Sequence, residues 1–269
     1  MKPTKLRKTL VVLGGVTLIL ASLALAFTKA RTAWDHLMPA LNTTPSGQMP
    51  RVVLWAWERP VDLRFINPRE VGVAFLARTI QLRAEDVVVR PRMQPLELPE
   101  GTRVIAVARV GADSKSKPNL SGSQTEKLTA AIAEMAQLPN ISSIQVDFDA
   151  KQSERTFYRE VIFAVRKRVP ETIGLSITAL ASWCSDDDWI SDLPIDEAVP
   201  MLFRMGPDRQ QIRNRVALGD EFPARPCRSS YGISTDEPLQ NLAAAKRLYV
   251  FNPDPWTEIT VHTITDSRK

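Results

Sequence analysis

The chain has 269 residues, 44% hydrophobic and 24% charged, the make-up of a globular protein with a sizeable core. Its net charge of +5 belongs to the start: residues 1–31 hold Lys2, Lys5, Arg7, Lys8, Lys29 and Arg31 with no acid, leaving a nearly neutral body that excludes a nucleic-acid footprint. The two histidines, His36 in a linker and His262 near the C-terminus, exclude a Ser-His-Asp or Cys-His device and a His-rich metal site.

The basic start leads into an uncharged apolar run at 9–27, within which Ala24-Leu25-Ala26 offers a small-x-small cleavage site. A signal-peptide core needs about 7–15 apolar residues and a spanning helix about 17–25. Residues 1–27 therefore read as either a cleaved signal peptide or an uncleaved anchor that holds the chain to the membrane. The excess of cations before the run predicts an exported body. Residues 28–50, with Pro39, Pro45, Gly47 and Pro50, read as a linker.

Apolar, β-rich runs then recur at 52–57, 71–82, 104–110, 144–149, 173–180, 198–205, 231–235 and 248–251. Ser123-Gln124-Thr125-Glu126 has the form of a capping box for a helix to about Gln137. Ser153 is placed to cap a second helix, with Phe157, Val161, Ala164 and Val165 on one face and Arg166-Lys167-Arg168 at its end. Further helices are expected at 208–216 and 239–246. Asp86 to Arg92 reads as an extra strand in a hairpin with the second run. The predicted fold is α/β: a small, irregular (β/α)8 TIM-type barrel over 51–258, with a C-terminal tail at 259–269. The first and eighth runs, around Leu54 and Val250, should pair in parallel and close the sheet.

Polar residues gather where the runs end, which in such a barrel is the face that carries chemistry. In the fourth run, Ile144, Val146 and Phe148 alternate with Gln145, Asp147 and Asp149, and the polar row is expected to point inward. Asp149 is the candidate general acid and Asp147 the residue that orients it or the substrate, with Glu58 and Asp236 as alternative carboxylate partners. Candidate substrate-binding residues are Trp57, Arg109, Trp183, Arg204, Glu237, Asn252 and Trp256, the tryptophans as stacking platforms. Trp55 reads as a core residue. Structural ion pairing of Asp147 and Asp149 with Arg109 and Arg204 is the competing account. Asp186-Asp187-Asp188 reads as a solvated loop. No metal and no cofactor is expected.

Export favours a disulfide between Cys184 and Cys227. Topology opposes it, because Cys184 follows one strand and Cys227 precedes another, which tends to put them at opposite barrel ends. The pairing stays open at this point.

Leu54-Trp55-Ala56-Trp57-Glu58-Arg59-Pro60, Ser176 to Cys184, Gly232 to Pro238 and Phe251-Asn252-Pro253 together resemble an uncharacterised bacterial family catalogued as domain of unknown function 3142. The resemblance spans roughly 50–256. It implies an exported bacterial protein, held in the inner membrane with its body in the periplasm, or released to the periplasm. The fourth run is also similar to the chitinase-like glycoside hydrolases of family eighteen, whose Asp-x-x-Asp-x-Asp-x-Glu motif ends in the catalytic acid. That motif falls on Ser142, Gln145, Asp147 and Asp149, so the acid position carries the shorter Asp149. The function expected is a carboxylate-dependent glycoside hydrolase acting on an envelope polysaccharide; the alternative is a non-catalytic barrel that binds a glycan or a protein.

Overall fold

The computed structural model describes residues 49–268 apart from 186, 240, 241 and 243–245. The expected signal or anchor, almost all of the linker and most of the helix expected at 239–246 lie outside them. Among the described residues no helix is long and apolar enough to cross a membrane.

Eleven strands are described. They are β1 (Val52–Ala56), β2 (Val61–Asp62), β3 (Val71–Arg83), β4 (Asp86–Pro91), β5 (Leu96–Glu97), β6 (Val104–Ala112), β7 (Ile141–Phe148), β8 (Gly174–Leu180), β9 (Glu197–Met201), β10 (Ser230–Ser234) and β11 (Arg247–Phe251). Helices α1 (Gly122–Ala133), α2 (Arg155–Arg168), α3 (Ala181–Ser185), α4 (Arg209–Leu218) and α5 (Glu258–Asp266) fall among them. β1, β3 and β6 through β11 form a closed parallel barrel of eight strands. Closure is by the expected pair: Val52 stands opposite Leu248 and Leu54 opposite Val250.

Strands covered on both faces need continuous apolar sequence, and β1, Val-Val-Leu-Trp-Ala, is buried throughout. Alternation within each strand still divides its residues. Leu54, Val73, Ala106, Ile144, Val146 and Ile177 face the helical layer, whereas Val53, Trp55, Ala74, Ile105, Val107, Val199 and Tyr249 fill the barrel interior. Full burial of one such aliphatic side chain stabilises the fold by about 1.5–3 kcal/mol.

The hairpin expected at 86–92 is present. β3 is long; β1 lines one edge of its first half, from Val71 to Phe75, and β4 takes the same edge from Arg78 to Arg83. β6 holds the other edge from Val73 to Leu82.

Several boundaries move. Helix α1 is capped by Ser121, not Ser123: Ser121 has extended backbone and its hydroxyl accepts from Gln124 N–H at 3.3 Å. Ser153 sits inside a short turn, Gln152–Glu154, and the Glu154 carboxylate accepts the Lys151 N–H at 2.8 Å instead. Residues 259–269, expected as a tail, contribute most of α5, which Thr257 caps at its N-terminus. β9 ends at Met201, so residues 202–205 leave the barrel as a loop.

Cys184 and Cys227 form a disulfide, with Cα atoms 5.9 Å apart. The topological objection fails because β9 is short. Helix α3 turns back over β9 directly after β8, and the turn Arg225–Arg228 packs on the same strand. Disulfides persist in oxidising compartments, so this bond fits an extracellular or periplasmic domain.

Candidate functional site

Inward side chains form three levels. At the base, Glu197 accepts from Arg247 at 2.8 Å, Tyr249 at 2.7 Å and Ser229 at 3.0 Å. Burial, then the Glu197 charge, raises the Tyr249 phenol well above its ordinary pKa. At mid-height the indole N–H of Trp55 donates to Gln145 at 2.9 Å, and the Gln145 amide reaches Ser176 at 3.4 Å. At the top, Asp147 accepts from Thr178 at 2.8 Å and pairs with Arg109 at 2.9 Å.

The polar row of β7 does point inward. Asp147 is 4% exposed, and burial raises its carboxyl pKa above the usual range; Arg109 opposes the shift and the neighbouring Asp149 charge adds to it. Asp149, one step beyond the strand, is exposed. It makes no hydrogen bond or ion pair with the described residues.

Above these levels opens a cleft of about 670 Å³. Asp147, Asp149, Arg109 and Thr178 line its β6–β8 side. Trp57, Arg59, Phe203, Arg204 and Phe251 line the other. Phe203 and Phe251 stack with centroids 5.8 Å apart, and the Arg204 guanidinium lies over both, 5.6 and 5.3 Å from their centroids. Arg109 lies 5.6 Å from the Trp57 centroid. Arg204 adopts φ 49°, a left-handed backbone uncommon for a bulky residue, and its N–H is held by Glu237 at 3.1 Å.

Of the residues expected at the site, the cleft gathers Asp147, Asp149, Trp57, Arg109 and Arg204. The others stand elsewhere. Asp236 and Glu237 brace the rim from behind, pairing with Arg204 at 3.0 Å and Arg209 at 2.6 Å. Hydrogen bonding from Ser234, with help from Arg204, lowers the Asp236 pKa. Glu58 is exposed beside Thr79, away from the cleft wall. Asn252 is buried, accepting from Thr235 at 2.5 Å and donating to the Pro255 carbonyl at 3.3 Å.

Two platform assignments are corrected. Trp183 is 2% exposed and packs edge-on against Trp189 at 4.9 Å. The chain enters α3 directly after β8, which turns Trp183 into the helical layer. Trp256 is half-buried against the core and donates its N–H to the Trp55 carbonyl at 3.1 Å. Trp55 is core, as expected, and also floors the cleft. Of the acidic run, Asp187 pairs with Arg155 at 2.5 Å.

Arg59, Thr178, Phe203 and Phe251 were not among the expected site residues. Thr178 had a legible signal, since it follows Ser176 on alternate positions of β8. The phenylalanines had none beyond their place near strand ends.

No protein-family model matches the chain, and no curated protein does. Solved structures are similar at low identity. A putative chitinase A from Streptomyces coelicolor aligns with a TM-score of 0.51 at 7% identity, over 81% of this chain and 97% of that one. The spore cortex-lytic enzyme SleL of Bacillus cereus gives 0.46 at 16% identity over 70% of this chain; the chain spans about half of SleL, 52%. The chitinase domain of the spore coat protein CotE from Clostridium difficile gives 0.39 at 12%, covering 64% and 56% of the two chains. Identities this low speak to fold alone. The protein is a TIM-type α/β barrel, a fold it shares with the Streptomyces protein.

Proposed function

We propose that this barrel is an exported, carboxylate-dependent glycoside hydrolase acting on an envelope polysaccharide. The observation that carries the reading is the unequal pair on β7: Asp147 buried and held by Arg109 and Thr178, Asp149 exposed in the same cleft with no partner among the described residues. A pair of carboxyl groups flanking one cleft, with one of them open to the substrate, is what acid catalysis at a glycosidic bond requires. Asp149 donates the proton to the leaving oxygen, while Asp147 orients Asp149 or the sugar. Trp57, Phe203 and Phe251 supply the apolar walls against which a sugar ring can rest. The motif resemblance to domain of unknown function 3142 agrees with export but brings no activity of its own.

A non-catalytic glycan- or protein-binding barrel is the second reading. It is favoured by the Asp147–Arg109 pair and by the shorter Asp at the acid position. Asp149→Asn separates the two. A general acid replaced by Asn lowers turnover by roughly 10²–10⁴-fold at unchanged melting temperature. Oligosaccharides bound but never cleaved by the unmodified protein would establish the binding barrel instead.

A further inference from the structure

The hairpin that replaces a helix between β3 and β6 ends on a side chain the cleft depends on. β1 and β4 occupy the same edge of β3, end to end. β1 runs up that edge to Ala56 and β4 runs down it to Pro91, so the two C-terminal ends meet. Arg92 follows at that junction, its N–H donating to the Ala77 carbonyl at 2.9 Å.

Its guanidinium makes no ion pair among the described residues: the Glu58 carboxylate acts on it only through its charge, and burial outweighs that charge. Nη1 donates to the Trp57 carbonyl at 2.5 Å and the Ala56 carbonyl at 3.3 Å. Nη2 donates to the carbonyls of Arg59 at 2.6 Å and Pro95 at 3.4 Å, and Nε to that of Gln94 at 2.9 Å. Five N–H groups are matched to five carbonyls, the full donor capacity of an arginine. The accepting carbonyls lie where β1 leaves the β-ladder, its last pairs being Ala56 with β3 and Leu54 with β11. On its far side the same turn is tied to the exit of β11, because Arg59 donates to the Pro253 carbonyl at 2.6 Å.

We propose that Arg92 is a positioning residue for the cleft: it fixes the turn after β1 and so sets where Trp57 and Arg59 stand on the cleft wall. The inference goes beyond the proposed hydrolase, since it holds equally for a cleft that only binds. Arg92 itself does not line the cleft.

Arg92→Lys in the full-length chain tests it, because an ammonium offers only three N–H groups from a single atom and cannot span the junction. Hydrogen exchange read by mass spectrometry should show amides of 57–61 exchanging about tenfold faster, with β7 and β8 amides unchanged. Arg90→Lys, on the exposed part of the hairpin, should leave both regions as they were. Unchanged exchange at 57–61, acceleration throughout the barrel, or failure to fold would each overturn the proposal. Chitin oligosaccharides supply an independent arm. If they are cleaved, Arg92→Lys should raise KM about tenfold and leave kcat within about twofold, since Asp147 and Asp149 stand on a different strand; an equal fall in kcat would overturn the positioning role. If the unmodified protein neither binds nor cleaves them, chitin is excluded as its glycan while exchange still decides the role of Arg92.

Discussion

Gly232 makes the room that Trp55 occupies. A Cβ built on Gly232 would lie 3.0 Å from the Trp55 ring and 3.3 Å from the Pro200 carbonyl oxygen. The indole crosses the barrel interior above β10 and floors the cleft while its N–H holds Gln145. A strand glycine here marks close approach by another side chain.

Gly232→Ala should therefore overpack the barrel, at a cost of about 1–3 kcal/mol. Chemical denaturation would measure it, and Trp55→Phe in the same chain should recover part of the loss. A Gly232→Ala protein as stable as the parent would show that Trp55 has room to shift.

Asp147→Asn should be tolerated best near neutral pH and cost more in acid. In the folded chain the Asp147 pKa is raised, burial outweighing Arg109, so the folded state holds its proton more tightly than the unfolded state, whose value is about 3.9. Asp147 thus adds stability as pH falls through its raised folded value, and Asn cannot. Melting temperatures of the two proteins should diverge on acidification; a gap that narrowed instead would mean that Arg109 dominates. The rim behaves oppositely. Asp236, with its lowered pKa, loses its contribution as pH drops through its folded value.

Reduction of Cys184–Cys227 should destabilise the barrel strongly. The two cysteines are 43 residues apart, and closing a loop of that length is worth about 4 kcal/mol on the chain-entropy account. For a domain of this size that is roughly 8–16 °C in melting temperature. Calorimetry with and without reductant measures it, and Cys184→Ala with Cys227→Ala should match the reduced protein.

Export predicts that a reporter fused after residue 50 is active only outside the cytoplasm. N-terminal sequencing of the mature protein then separates cleavage after Ala26 from retention as an anchor. Cytoplasmic reporter activity would falsify the targeting role of the N-terminus.

Much of the barrel was legible in the sequence. Eight β-rich runs, their alternation and the prolines after them fixed which residues face inward and at what height along each strand. Leu54 opposite Val250 and the hairpin at 86–92 follow from that pattern, as does the inward row of Gln145, Asp147 and Asp149.

Which inward residues meet was not legible, because periodicity orders a strand internally but says nothing of its tilt, its shear against its neighbours or the direction of the loop that leaves it. Trp57 and Trp183 both sit near strand ends in apolar sequence; one lines the cleft, and the other turns into the helical layer because α3 starts where β8 stops. Asp236 and Glu237 stand behind Arg204, since β9 ends at Met201 and the loop carries Arg204 across the mouth. The sequence by itself determined the barrel and the polar character of its mouth. Tertiary structure decided which five of the expected site residues share one cleft, because their meeting depends on strand stagger and loop paths that no single segment contains.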